Sequence, residues 1–320
     1  MIESGPTSHV YFSQRLRLHY VDWGNEEAAP MLMVHGGRDH CRNWDWVARD
    51  LSRDYHVIAP DLRGHGDSQW MIGGSYNTVD YVYDIAQLLH QKKMTPATII
   101  SHSLGASVSL LYTGLYPETV KKLVAIEGMG LSSSAARTAE SAASGDSAAT
   151  GRLLDNWVRG TRRIAGRLPR RYPTLEEAFQ RMQEENPHLS ESQARHLTIH
   201  GSNQNEDGTF SWKFDNYVRA TAPVGLTAEQ IHHLYERITC PTLLVYGSES
   251  WVPNPANDER AKYLSSMRLA VIEDAGHWVH HDQLAEFLSI VRGFLKESSS
   301  DEFPSIDSAK HDASQEGSLA

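Results

Sequence analysis

The 320-residue chain predicts an α/β fold, a mostly parallel central sheet with helices on both faces and a helical segment inserted between two strands. Three observations carry that prediction. Short, continuous apolar runs recur through the first half, as in strands covered on both faces. Helical periods separate these runs, and strands alternating with helices build a parallel sheet. The alternation stops near residue 129 and resumes near 242, so the chain between is an insertion.

The elements follow in order. Residues 16–22 (LRLHYVD) alternate with period 2, which predicts a half-buried strand. MLMVH at 31–35, HVIAP at 56–60, ATII at 97–100 and KLVAI at 122–126 predict buried strands. Val79, Val82, Ala86 and Leu89 recur at helical spacing, with Asn77 placed as the cap. Residues 132–150 are almost entirely Ser and Ala, and their composition fits either a flexible entry or a loosely packed helix. From about 152 to 236 the chain is polar and helix-rich, with a hairpin-like NEDG at 205–208. TLLVY at 242–246 and LAVI at 269–272 return to strands, and an amphipathic helix covers about 282–296. The expected organisation is therefore a core of residues 1–128 and 237–298, a helical insertion over 129–236, and a disordered Ser/Asp/Glu-rich tail over 299–320.

Composition excludes several function classes. Apolar residues at 40% and charged residues at 22% are ordinary for a globular enzyme. Two cysteines, Cys41 and Cys240, rule out a disulfide scaffold and a Cys-based zinc module, and suit a cytoplasmic protein. A formal net charge of −10 argues against nucleic acid or an anionic membrane as partner. No apolar run approaches the roughly 18 residues of a membrane span, and MIESGPTSHVYF has no signal-peptide pattern.

Four motifs carry chemistry. In TIISHSLGAS (98–107) an apolar strand runs into Ser101-His102-Ser103-Leu104-Gly105, and a helical pattern follows. In MVHGGRDH (33–40) a strand ends in His35-Gly36-Gly37. DLRGHGDS (61–68) follows the next strand, and there Asp61 and Arg63 are expected to fix a loop. In VIEDAGHWVHHDQ (271–283) a strand ends, Ala275-Gly276 turns, and His277 follows. An imidazole suits a general base near neutral pH, and His277 stands out among 17 histidines by its place. His280 and His281 read as loop and helix-start residues, and no metal-ligand motif is present.

In this order the motifs resemble the α/β-hydrolase superfamily, over about residues 7–128 and 238–296. S-x-S-x-G is similar to the nucleophile elbow G-x-S-x-G, with Ser101 in place of the first glycine. The resemblance implies Ser103 as nucleophile, His277 as base, and the N–H groups of Gly37 and Leu104 as oxyanion hole. It implies a helical cap in the position of 129–236, and no cofactor or metal. The superfamily usually places its acid in a loop after the strand matching TLLVY, but that position here is Ser250, which cannot carry the charge. Glu127, ending KLVAI, is the preferred substitute because some relatives place their acid there and a buried charge needs a partner. Glu249 is the rival.

Trp251 and Trp278 flank the implied catalytic loops, and either line an apolar acyl pocket or only pack. The arginines crowded between 152 and 171 read first as a solvated helix face, and alternatively as a patch for an acidic substrate. The resulting expectation is a serine hydrolase acting on a small-molecule carboxylic ester through an acyl-enzyme. Amidase, lactonase and C–C hydrolase chemistry, or a weakly catalytic small-molecule receptor, are the alternatives. Relatives acting on halides or epoxides use a carboxylate where Ser103 stands. Substrate identity and oligomeric state are not legible.

Overall fold

The computed structural model describes residues 5–74, 76–129, 147–220, 225–257 and 259–297. The tail at 299–320 and residues 132–146 of the Ser/Ala stretch lie outside the described residues. Eight strands form one sheet: β1 (Thr7–Ser13), β2 (Leu16–Asp22), β3 (Ala29–Val34), β4 (Tyr55–Pro60), β5 (Ala97–His102), β6 (Val120–Ile126), β9 (Thr242–Gly247) and β10 (Met267–Ile272). Their order is β1-β2-β4-β3-β5-β6-β9-β10. β2 pairs antiparallel with both β1 and β4, and the rest of the sheet is parallel.

Alternate residues of the apolar runs enter opposite layers, as the two-residue strand period requires. Leu32, Ile99, Leu123 and Leu244 pack into one core. Met31, Met33, Ile100, Val124 and Val245 pack into the other. The first core is closed by α2 (Thr78–Lys92) and α3 (Leu104–Leu115). The second is closed by α1 (Asp45–Leu51) and α9 (Leu284–Lys296), through Val47, Leu51, Phe287 and Val291.

The described part of 129–236 holds α4 (Ser147–Ile164), α5 (Leu175–Glu185), α6 (Glu191–Gly201), a hairpin of β7 (Ser202–Gln204) and β8 (Phe210–Trp212), and α7 (Ala228–Glu236). NEDG turns that hairpin, with the Gly208 N–H donating to the Asn205 carbonyl at 2.9 Å. Helix α7 lies against α3, and its Ile231 and Tyr235 join the first core. Among the described residues no helix is long and apolar enough to cross a membrane.

Three features differ from the sequence reading. β1 was not expected, because its side chains are mostly exposed and polar. β2 is buried from Leu18 onward rather than on one face, because Leu18 and Tyr20 enter the first core and Val21 the second. Val79 is 44% exposed, and the buried stripe of α2 runs Tyr81, Val82, Ile85, Leu88, Leu89. That rotation also buries Asp84. Its carboxylate takes the Arg63 guanidinium in a fork, Nε–Oδ2 2.6 Å and Nη2–Oδ1 2.7 Å, with both residues fully buried.

Asp61 fixes the neighbouring loop. It accepts from the Cys41 N–H at 2.6 Å and the Asp67 N–H at 2.8 Å, and lies 2.7 Å from His19 Nδ1. Burial opposes its charge, but the His19 hydrogen bond and the charges and N–H groups around it hold its carboxyl well below the usual range.

Breaking a buried ion pair leaves one charge uncompensated. Arg63→Met should therefore lower unfolding stability by about 3–5 kcal/mol in urea titration, and Arg63→Met/Asp84→Leu should recover most of the loss.

Candidate active site

Parallel register sets the site. Ile126 of β6 pairs with His102 of β5 on one side and with Val245 of β9 on the other. The residues just beyond, Ser103, Glu127 and the Gly247 turn, therefore meet at one edge of the sheet. Ser103 sits between β5 and α3 with φ 51° and ψ −114°, a conformation L residues rarely hold. Its N–H donates to the Ile126 carbonyl at 2.8 Å.

The turn leaves no room beside it. A Cβ on Gly105 would lie 2.4 Å from the Val34 carbonyl oxygen, and one on Gly128 2.2 Å from the Ser103 carbonyl oxygen. Ser101 is tolerated where a glycine was expected, because it is fully buried and its hydroxyl donates to the Val124 carbonyl at 3.3 Å.

Ser103 Oγ lies 3.0 Å from His277 Nε2, and His277 Nδ1 lies 3.2 Å from Glu127 Oε2. Glu127 is 2% exposed and also has positive φ, 55°. Its Oε1 accepts from the Gly247 N–H at 2.7 Å, and its Oε2 from the Ser250 hydroxyl at 2.5 Å. Ser250 Oγ in turn accepts from the Val252 N–H at 3.1 Å. Of the two acids left open by the sequence, Glu127 faces His277. Glu249 is half-exposed and points instead to His188, at 3.4 Å.

The turn before His277 is held by Asp282, in the short helix α8 (Val279–Asp282), whose Oδ2 accepts from the Gly276 N–H at 2.9 Å. His102 Nε2 donates to the His277 carbonyl at 2.8 Å and so ties that turn to β5. Burial, then the nearby His277, push the pKa of His102 well down, so it stays neutral. His280 lies behind it, neutral for the same first reason, stacked on Trp44 at 4.7 Å.

His35 fixes the glycine turn. Its Nδ1 donates to the Gly36 carbonyl at 2.6 Å and its Nε2 accepts from the Leu62 N–H at 3.0 Å. Burial, then the neighbouring His65, push its pKa down to about 3, which keeps the ring neutral for both bonds. Gly37 approaches Leu104, with an added Cβ 3.9 Å from Leu104 Cβ. The Leu104 N–H opens α3, where first-turn amides have no acceptor within the helix and the dipole favours negative charge.

Gly37, Ser103, Leu104, His277, Trp251 and Trp278 line one cavity of about 880 Å³. Trp251 is 78% exposed and lies over the His277 ring, centroids 4.8 Å apart. Trp278 is half-buried and packs beside Phe179 and Leu197 of the insertion. Core and insertion thus both supply the wall.

Among the described residues, two groups have ligand atoms close enough to share a metal ion, His19/Cys41/Asp61 and Asp45/His196/His200. Neither group lines the cavity, and in both the acid is engaged: Asp61 as above, and Asp45 by the Arg42 guanidinium at 2.9 Å. Sequence reasoning missed the roles of Ser250, His102 and His35. The HGG motif was the available signal for His35. Only tertiary contacts reveal the other two.

A family model described as the alpha/beta hydrolase fold matches residues 29–284. A serine hydrolase-like protein from Danio rerio is 23% identical over 88% of this chain and 85% of its own length. An esterase from Mycobacterium tuberculosis is 24% identical over 91% of each chain. Among solved structures, a thioesterase domain from the curacin biosynthetic pathway superposes with a TM-score of 0.74 at 22% identity, over 90% of this chain and all of that domain.

Forcing a side chain into filled backbone space strains a core by about 1–3 kcal/mol or more. Gly105→Ala should therefore lower Tm by several degrees in a calorimetric scan. Gly37→Ala, whose Cβ would only touch Leu104 at an ordinary 3.9 Å, should leave Tm unchanged.

Proposed function

The chain belongs to the α/β-hydrolase fold family, and we propose that it is a serine hydrolase that cleaves carboxylic esters through an acyl-enzyme. The observation that carries this reading is the hydrogen-bonded line Ser103 Oγ–His277–Glu127, set on a strained turn at a helix start. A carboxylate would be the expected nucleophile for halide or epoxide chemistry, and a hydroxyl stands there instead.

Ser103 Oγ attacks the acyl carbon while His277 Nε2 takes its proton. Glu127 stabilises the imidazolium and holds its Nδ1–H. The Gly37 and Leu104 N–H groups receive the developing oxyanion, in place before charge appears. His277 returns the proton to the leaving alcohol, and water then repeats the sequence on the acyl-enzyme. Ser250 positions the acid by donating to it, so a serine at the usual acid site serves a carboxylate that arrives from the neighbouring strand. Trp251 and Trp278 wall the acyl side. The relatives named a serine hydrolase-like protein and an esterase support the reading.

Short p-nitrophenyl esters should be turned over many times. A receptor that only binds would stop after about one equivalent. Ser103→Ala should stay folded and lose about 10⁶-fold in turnover, together with labelling by a fluorophosphonate probe. Labelling that persists in the variant would place the nucleophile elsewhere.

Glu127→Gln keeps the shape without the charge and should cost about 10³–10⁴ in turnover. Glu249→Gln, at a half-exposed pair, should cost about twofold or less. Ser250→Asp should slow the natural protein, because two carboxylates would then meet at hydrogen-bond distance, yet speed Glu127→Gln. A large loss in Glu249→Gln with none in Glu127→Gln would overturn the assignment of the acid.

A further inference from the structure

The wall of the cavity that contains Ser103 carries four arginines, Arg38, Arg170, Arg181 and Arg219. The acids on the same wall are already engaged. Glu185 pairs with Arg181, Glu249 with His188, and Asp282 accepts from the Gly276 N–H. Arg170 lies over the Tyr172 ring at 5.0 Å.

Arg38 and Arg219 are left. Among the described residues neither has a carboxylate within salt-bridge distance, although acids outnumber bases in the chain by ten. Arg219 lies over the Phe214 ring, at 5.4 Å. Both residues line the same cavity, and burial first, then the Arg38 charge, lower the pKa of Arg219, while Glu185 on the same wall raises it. Arg38 follows Gly37 directly and holds φ 64°, in the turn beside Ser103. Like charges facing one cavity are unfavourable, the nearby Glu185 is already paired with Arg181, and an anion between the two arginines would lower that cost. A guanidinium fork suits a carboxylate or a phosphate.

We propose that Arg38 and Arg219 form an anion subsite beside Ser103, so that the substrate is an ester bearing a second, free anionic group, a carboxylate or a phosphate. This rests on the ester-hydrolase reading above and narrows its substrate class.

The test compares p-nitrophenyl hemiglutarate with p-nitrophenyl valerate, which share acyl length and differ in the terminal carboxylate. At low ionic strength kcat/KM should favour the hemiglutarate by about tenfold or more, through KM, and salt should shrink the preference. Arg38→Gln and Arg219→Gln should each reduce that ratio, and the double variant should bring it near one. Arg219→Lys, which keeps the charge, should retain part of it. Inhibition of valerate hydrolysis by free glutarate or by inorganic phosphate tells which anion fits better.

A ratio of one or below in the natural protein, or variants that slow both esters equally, would overturn the proposal while leaving the esterase reading intact. If neither ester is turned over, the esterase reading fails. The subsite is then judged by calorimetric titration of glutarate and phosphate into Ser103→Ala: binding lost in the Arg38→Gln/Arg219→Gln background supports it, and absence of binding refutes it.

Discussion

The buried carboxylate of Glu127 is the fixed point of the site. A charge withdrawn from water must be met by donors or its burial costs several kcal/mol. Here three donors come from three separate places: the Gly247 N–H at the end of β9, the Ser250 hydroxyl in the following loop, and the His277 ring. One charge therefore sets the direction of the β9 loop and of the histidine turn together. The Asp282 and His102 hydrogen bonds brace that turn from its other sides.

Backbone crowding is the second constraint. Gly105 and Gly128 sit where any side chain would meet main-chain oxygens, of Val34 and His35 for the first and Ser103 for the second, so α3 meets the end of β3, and the residue after Glu127 meets the Ser103 turn, as closely as bare backbone allows. The approach brings Ser103, the start of α3 and the His35-Gly36-Gly37 turn to one place. The strained dihedrals of Ser103 and Glu127 persist because the strands on either side leave no alternative path.

Much of this was legible in the sequence. Continuous apolar runs marked the buried strands, because a strand covered on both faces has no solvent side to leave polar. The S-x-S-x-G turn, the HGG turn and the histidine turn were legible because each needs small residues in a fixed local order. The Asp61 and Arg63 loop was legible for the same reason.

What failed was direction. Glu127 and Glu249 both follow strands, and only the register of β6 against β9 shows which one faces His277. Ser250 was read as the loss of an acid, since a string of letters does not reveal that its hydroxyl meets the acid arriving from next door. β1 escaped because only Tyr11 and Ser13 of its side chains are buried, while Val10 and Phe12 face solvent, so no apolar face marks it in the sequence. The stripe of α2 was rotated because Asp84 turns inward to meet Arg63, a partner from another loop.

The place of the acid also bears on how the site assembles. Ser103 and Glu127 end adjacent strands and are 24 residues apart in the chain, whereas His277 lies 150 residues beyond Glu127. Loop-closure entropy grows with the logarithm of length, so joining the strands that end in Ser103 and Glu127 costs about 1.5 kcal/mol less than bringing in His277. A carboxylate in the later loop would have made both groups of the hydrogen-bonded line distant from Ser103. With Glu127 on β6, two of the three groups belong to one short strand–helix–strand unit, whose pairing is local in sequence and so carries a low loop-closure cost.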